Sequence, residues 1–420
     1  MEFEKSEGLR VFDGAIGTEV QKRTSGSDEN LTEILNLNEP ELVQDIHLDY
    51  LEAGAEFLTT NTFSANEIRL GRSNYEHRSR EINEQGASLA RTAIKEFLGN
   101  SSDCRFVAGS IGPTGETLVP LGDHHFSDFY EAFLNQARGL KSGGADWIII
   151  ETMESLREAK AALLAASQVE LPVISSLSYG ERGRTSYGVV PSAGAVTLDH
   201  LGADVLAMNC GTGPSYYPNL ISTYSEFTAR PLLAEANAGD PELKDGEAVY
   251  DMTPEEYLED IKPGLPDLAG VGSCCGSDPN FTRALAEVAS DYDESREEAP
   301  SEEKKYFSSN AKVVNAGDVT EFDKFQAPDG ELKRIRKLKD PERVSLVEIN
   351  AEDRSEEELE EELSRVFLQL GSAAPTGIKT EDPITLKSFL RAYPGIAPVK
   401  LEGGNSSLMK IAEEYGGLII

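Results

Sequence analysis

Up to about residue 290 the chain repeats one alternation, a short apolar run followed by a longer stretch with helical periodicity. The runs are Arg10-Val11-Phe12, Phe57-Leu58-Thr59, Phe106-Val107-Ala108, Trp147-Ile148-Ile149-Ile150, Val173-Ile174-Ser175, Val205-Leu206-Ala207-Met208, Leu232-Leu233-Ala234 and Ala269-Gly270-Val271. Between them, Leu42, Ile46 and Tyr50 mark one helix face ahead of a stop at Gly54. Ser155 and Glu158 have capping-box spacing, and Asp278-Pro279 opens a helix carrying Ala284, Leu285 and Val288. Eight such strand–helix units predict an α/β fold, a (β/α)8 TIM barrel over residues 1–290. An open doubly wound sheet is the alternative, but no Gly-rich phosphate fingerprint follows the first strand.

A polar stretch breaks the pattern. Residues 291–310, running through Tyr292-Asp293-Glu294-Ser295-Arg296-Glu297-Glu298, read as an acidic linker. Residues 311–420 then predict a small α/β domain. Val344-Ser345-Leu346-Val347, Pro398-Val399-Lys400-Leu401 and Leu418-Ile419-Ile420 are its candidate strands. Leu359, Leu363, Val366, Phe367 and Leu370 form a helix stripe behind a Ser355/Glu358 capping box. Further helical patterns surround Leu386, Phe389 and Leu390, then Leu408, Ile411 and Ala412. Glu356, Glu357, Glu360, Glu361 and Glu362 lie largely off the stripe and read as solvated charge.

The formal net charge of −35 excludes nucleic acid as a partner, because phosphates require a basic face. Its plain reading is solubility; a basic protein partner is the sharper one. The start, Met1-Glu2-Phe3-Glu4-Lys5, has no signal-peptide pattern, and no segment is apolar for long enough to span a membrane. With four cysteines and no export signal, reduced thiols and a cytoplasmic location are expected.

In such a barrel the chemistry gathers where strands end. Those positions carry Asp13-Gly14-Ala15-Ile16-Gly17-Thr18, Thr60-Asn61-Thr62-Phe63, Gly109-Ser110-Ile111-Gly112-Pro113-Thr114-Gly115, Glu151-Thr152, Asn209-Cys210, Glu235-Ala236-Asn237 and Cys274-Cys275. Cys104 precedes its strand and falls on the opposite face, as an ordinary thiol. Strands six and eight are near neighbours in a closed ring, so Cys210 approaches Cys274 and Cys275. Flanking Gly272 and Gly276 permit the turn that lets both adjacent cysteines reach one ion. Three thiolates leave one tetrahedral position open, as in a catalytic zinc site. Buried small hydrophobes, a vicinal disulfide and a closed structural zinc are the competing readings.

Zinc bound by three thiolates is net negative and a poor Lewis acid for hydrolysis. It can still deprotonate an incoming thiol, whose free pKa is about 8.5. The matching reaction is attack of that sulfur on an electrophilic carbon. Asp13 and Glu151 suit a substrate ammonium group, or else cap the rim loops. Backbone N–H groups around Gly14 and Thr60 suit a carboxylate. A zwitterionic amino-acid thiol satisfies both.

Taken together, the motifs at 13–18, 60–63, 109–115, 151–152 and 209–210, with Gly272-Ser273-Cys274-Cys275-Gly276, resemble the homocysteine S-methyltransferase family over roughly residues 8–290. Within it they are most similar to the homocysteine-binding module of cobalamin-dependent methionine synthases. The resemblance implies zinc on Cys210, Cys274 and Cys275, and homocysteine held by Asp13, Gly14, Thr60 and Glu151. It further implies that Asn237 occupies zinc's fourth position until substrate displaces it. Asn209 is a further substrate-site candidate, or else shapes the turn.

Arg391-Ala392-Tyr393-Pro394-Gly395 and Lys410-Ile411-Ala412-Glu413-Glu414-Tyr415-Gly416-Gly417 are similar to pieces of the folate-binding barrel of those enzymes. Residues 311–420 therefore read as a shortened remnant, well below the roughly 200 residues of a second barrel. Its expected role is to pack against the first barrel or to pair chains in a homodimer. No Asp-x-His-x-x-Gly run of the cobalamin-ligating type occurs; Asp199-His200-Leu201-Gly202 has the wrong spacing. The expected function is methyl transfer to homocysteine, forming methionine, with methylcobalamin on an external corrinoid or corrinoid protein as donor. S-methylmethionine or a betaine-type donor is the alternative, and a zinc-storing interaction protein is the non-enzymatic rival.

Overall fold

A computed structural model describes residues 8–24, 31–244, 247–290, 304–327, 344–349, 354–370, 375–401 and 405–420. All eight expected runs form strands: β1 (Arg10–Val11), β2 (Phe57–Thr59), β3 (Phe106–Ile111), β4 (Trp147–Met153), β5 (Val173–Leu177), β6 (Val205–Asn209), β7 (Leu232–Ala236) and, after a short hairpin of β8 (Glu242–Lys244) and β9 (Glu247–Val249), β10 (Gly270–Ser273). The eight pair in the order β1-β10-β7-β6-β5-β4-β3-β2, every pair parallel. A bridge from Phe12 to Phe57, with Asp13 N donating to Phe57 O at 3.1 Å, joins the two ends of that order. The ring closes as the expected barrel. Among the described residues, no helix is long and apolar enough to cross a membrane.

Side chains alternate along each strand, so every second residue enters the ring. Phe12, Phe57, Phe106, Ala108, Trp147, Ile149, Ile174, Val205, Ala207 and Leu233 form one apolar cluster there. Phe57 stacks on Phe12 at 4.5 Å between centroids and meets Trp147 edge-on at 6.2 Å. Burying each such ring stabilises the fold by about 1.5–3 kcal/mol, and together they plug the ring against water. Two residues further along, on the same side, the strands turn polar at Ser110, Glu151, Ser176, Asn209 and Glu235. The barrel interior thus has an apolar lower layer and a polar upper one.

Of the expected linker, residues 291–303 lie outside the described residues. Its last residues carry β11 (Tyr306–Ser308), which pairs with β12 (Val313–Asn315). A second parallel sheet follows, in sequential order: β13 (Asp323–Ala327), β14 (Ser345–Ile349), β15 (Thr376–Lys379), β16 (Ala397–Lys400) and β17 (Gly417–Ile419). β13 and β15 join the three strands expected there. Thr376-Gly377-Ile378-Lys379 has no apolar run; pairing with β14 on one edge and β16 on the other makes it a strand.

The second sheet's helices dock on the barrel through two buried polar side chains, Glu360 and Lys160. Glu360 departs from the solvated reading: it is 1% exposed, and its Oε1 accepts from Arg157 Nη2 and from Phe126 N, each at 3.0 Å. Phe126 opens the barrel helix Phe126–Gly143, so the carboxylate meets the positive end of a helix dipole. Conversely, Lys160 of the barrel helix Leu156–Ser167 donates to Leu390 O at 3.1 Å and Tyr393 O at 3.0 Å, at the C-terminal end of the helix Pro383–Ala392. A helical pattern shows that Glu360 is off its own stripe, but not that a second surface covers it.

Burial, reinforced by the Arg157 charge, pushes the Lys160 pKa down to about 7. The unfolded chain, with a lysine near 10.4, then binds one proton more between about pH 7 and 10. Stability therefore rises with pH across that window and is lowest below it. Relative to Lys160→Met, the wild-type chain should gain about 1.4 kcal/mol per pH unit there, read by urea unfolding at each pH. A pH-independent difference between the two chains would exclude the neutral buried amine.

Candidate active site

Two turns bring the cysteines to the rim. Cys210 follows the last residue of β6 with φ 58°, and Gly211 continues the turn at φ 77°. A Cβ on Gly211 would lie 2.2 Å from Tyr179 O, so the turn needs glycine there. After Cys275 the chain turns at Gly276, φ 83°, as expected. Gly272 plays a different part. It lies inside β10, where a Cβ would come within 2.8 Å of Phe12 Cβ and 3.1 Å of Glu235 Oε1. Its missing side chain makes room for theirs. Backbone bonds tie the three strand ends together: Cys210 N to Glu235 O at 3.0 Å, Cys274 N to Ala236 O at 2.7 Å and Ala238 N to Cys275 O at 2.9 Å.

The sulfurs of Cys210, Cys274 and Cys275 all lie within 4.8 Å of one another, with Cys210 and Cys275 at 3.9 Å. A tetrahedral ion with metal–sulfur bonds near 2.3 Å requires sulfurs about 3.8 Å apart. Asn237 lies beside Cys210, and its buried Oδ1 has no hydrogen-bond partner among the described residues. An unpaired buried oxygen beside three thiols is what a fourth ligand position demands. Donation from Cys274 and Cys275 lowers the Cys210 pKa, and the same contacts hold both partners above the usual thiol range. Cys104 is exposed, just ahead of β3 at the opposite end of the ring.

Beside the thiols lies the polar layer. Asp13 is 1% exposed; its Oδ2 accepts from Thr59 N at 2.8 Å, and burial holds its pKa well above the carboxylate range. Glu151 accepts from Ser110 Oγ at 2.5 Å and Asn209 Nδ2 at 3.2 Å. Burial, with the Cys210 charge adding to it, pushes Glu151 up to about 7. Asn209, next to Cys210, brings its Nδ2 within 4.0 Å of Cys274 Sγ. Its Oδ1 accepts from Thr152 N at 2.7 Å and Ser176 Oγ at 2.6 Å, so the amide is fixed and aims at Glu151.

At the expected backbone cradle, Thr60 N donates to Ala108 O at 3.0 Å and Thr60 Oγ1 accepts from Ser110 N at 2.9 Å, so this residue's own amide and hydroxyl tie the strand ends together. Around Gly14, a Cβ would meet Ser277 Oγ at 2.8 Å and both Ser273 Oγ and Tyr50 OH at 3.0 Å. Ser273 Oγ and Tyr50 OH are buried without partners among the described residues. Tyr50 reads in the sequence as a helix-core residue, and only the folded ring turns its hydroxyl toward Gly14. Ser176 also escapes the motifs, and Ser110 sits in one without an assigned role; strand alternation above the apolar layer is the signal that finds both.

Comparison with known proteins gives this geometry a relation. The family model described as homocysteine S-methyltransferase matches residues 10–289. Methionine synthase of Mycobacterium tuberculosis (strain ATCC 25618 / H37Rv) is 33% identical over 294 residues, covering 67% of this chain and 24% of that protein. Methionine synthase of Mycobacterium leprae (strain TN) is 32% identical over 291 residues, covering 66% and 24%. The chain thus spans about a quarter of the length of these relatives. Among solved structures, the metallated form of the homocysteine methyltransferase MmuM from Escherichia coli aligns with TM-score 0.58 and 22% identity, over 67% of this chain and 96% of that one. Its oxidized form aligns with TM-score 0.57, at the same identity and coverage. With the matched segment covering the whole barrel, cysteines included, the chain belongs to the homocysteine S-methyltransferase family.

Proposed function

We propose that the chain transfers a methyl group to the thiol of homocysteine, forming methionine, with zinc held by Cys210, Cys274 and Cys275. The observation that carries this reading is the cluster of three thiols, with the unpaired Asn237 oxygen, beside a layer of buried carboxyls. When bound, zinc on three thiolates supplies deprotonation of an incoming thiol at neutral pH. The residues of the chain do the rest. Asp13 and Glu151 receive the substrate ammonium, Asn209 orients Glu151, and the Gly14 cradle with Tyr50 and Ser273 accepts the substrate backbone. The aromatic layer below excludes water. The homocysteine sulfur then attacks the donor's methyl carbon; a sulfur–carbon bond forms as the donor's bond to that carbon breaks.

The donor we infer is a methylated corrinoid carried on another molecule, with S-methylmethionine or a betaine-type compound as the second reading. Residues 311–420 are read as a shortened relative of a folate-binding barrel. The sequential parallel order β13-β14-β15-β16-β17 favours this, since an arc of a (β/α)8 barrel has that order.

Each replacement Cys210→Ser, Cys274→Ser and Cys275→Ser should abolish tight zinc binding, whereas Cys104→Ser should retain it, as measured by metal content after dialysis. Full occupancy in Cys275→Ser would rule out this ligand set. Glu151→Gln should keep zinc and weaken homocysteine binding about ten- to hundredfold, the loss of one charge-assisted hydrogen bond; calorimetric titration with unchanged affinity would remove Glu151 from the site. Methionine should form from methylcobalamin or a methylated corrinoid protein. Robust turnover from methyltetrahydrofolate without any corrinoid would overturn the donor assignment.

A further inference from the structure

Glu235 belongs to the polar layer, and in the strand-end motif Glu235-Ala236-Asn237 it is the residue to which no role has been given. It is the fourth residue of β7, two positions beyond Leu233, whose side chain lies in the apolar layer. Alternation therefore turns Glu235 into the ring, above that layer. The residue is 6% exposed, yet no hydrogen bond or ion pair reaches its carboxyl among the described residues. Burying a carboxyl without a partner costs several kcal/mol, so the position calls for a ligand or a proton.

The surroundings choose between these. Gly272, paired with Glu235 across β10 and β7, omits a Cβ that would press within 3.1 Å of Glu235 Oε1 and 3.2 Å of Asp13 O, so the Glu235 carboxyl and the Asp13 backbone border the same gap. Tyr257 OH donates to Gly272 O at 2.8 Å and accepts from Ala236 N at 3.1 Å, which locks both backbones. A carboxyl on a rigid strand, at the border of that gap, is a positioned group. Its electrostatic neighbours are Glu151 and Asp13, the two carboxyls already assigned to the substrate amino group. An alkylammonium carries three N–H donors, and one or two acceptors leave part of its charge unmet.

Building on the homocysteine reading above, we propose that Glu235 is a third substrate-binding carboxyl, which completes with Asp13 and Glu151 a three-acceptor cage for the α-ammonium group. The cage makes the site selective for amino-acid thiols over thiols that lack the amino group.

The test is calorimetric titration of the full, zinc-loaded chain with homocysteine and with 4-mercaptobutyrate, which keeps the thiol and carboxylate but lacks the amino group. Glu235→Gln should weaken homocysteine about tenfold or more, leave 4-mercaptobutyrate unchanged and retain zinc. Glu235→Leu, which restores an apolar interior, should do the same and guards against a folding defect in the amide variant. Equal weakening of both ligands, or of neither, overturns the cage while leaving the homocysteine reading intact. A wild-type chain that binds neither ligand overturns both.

Discussion

Everything at the site depends on one geometric constraint, the two-residue period of strands in a closed ring. Because the ring has only one inside, residues at matching positions on different strands must share it. Phe12, Phe57, Trp147 and their neighbours fill the lower level so tightly that the next level up is walled from water on one side. Carboxyls at that upper level, on β4 and β7, are therefore desolvated together, which explains the raised pKa values of Glu151 and Glu235 without any special device. The same registry brings the end of β6 beside those of β7 and β10, where the backbone bonds of Cys210 and Cys274 hold the sulfurs in range of one another.

Much of this was legible in the sequence. Apolar runs and capping signals mark the eight strands, because buried parallel strands need continuous hydrophobic stretches. The cysteines are legible since few other residue types produce that chemistry, and adjacent thiols flanked by glycine advertise a turn. What escapes is whatever depends on a partner distant in sequence. β15 has no apolar run of its own and exists through its neighbours. The Gly272 next to the cysteines invites a turn, whereas its real constraint is the Phe12 and Glu235 side chains over it. Tyr50 carries a helix stripe and a site hydroxyl at once, and only the first leaves a periodic trace.

The contact between barrel and second sheet belongs to the same class. Arg157 donates from Nε to Arg391 O at 2.9 Å, from Nη1 to Val119 O at 2.8 Å and from Nη2 to Glu360 Oε1. One guanidinium thus gathers the loop after β3, a barrel helix and two helices of the appended sheet. With Lys160 beside it, this is a polar joint whose members satisfy one another, and such joints are costly to open partially. The appended sheet and the β3 loop accordingly form one mechanical unit.

Cys210 stands at a conflict between backbone and side chain. Its φ of 58° lies where a residue with a Cβ is strained by about 1–2 kcal/mol, and glycine would relieve that strain. Glycine, however, has no sulfur. Backbone comfort and a sulfur at the rim thus favour different residues at this one position. Cys210→Gly would trade that strain for the loss of one of the three clustered sulfurs, so the backbone of this turn is kept under tension for the sake of the side chain it carries.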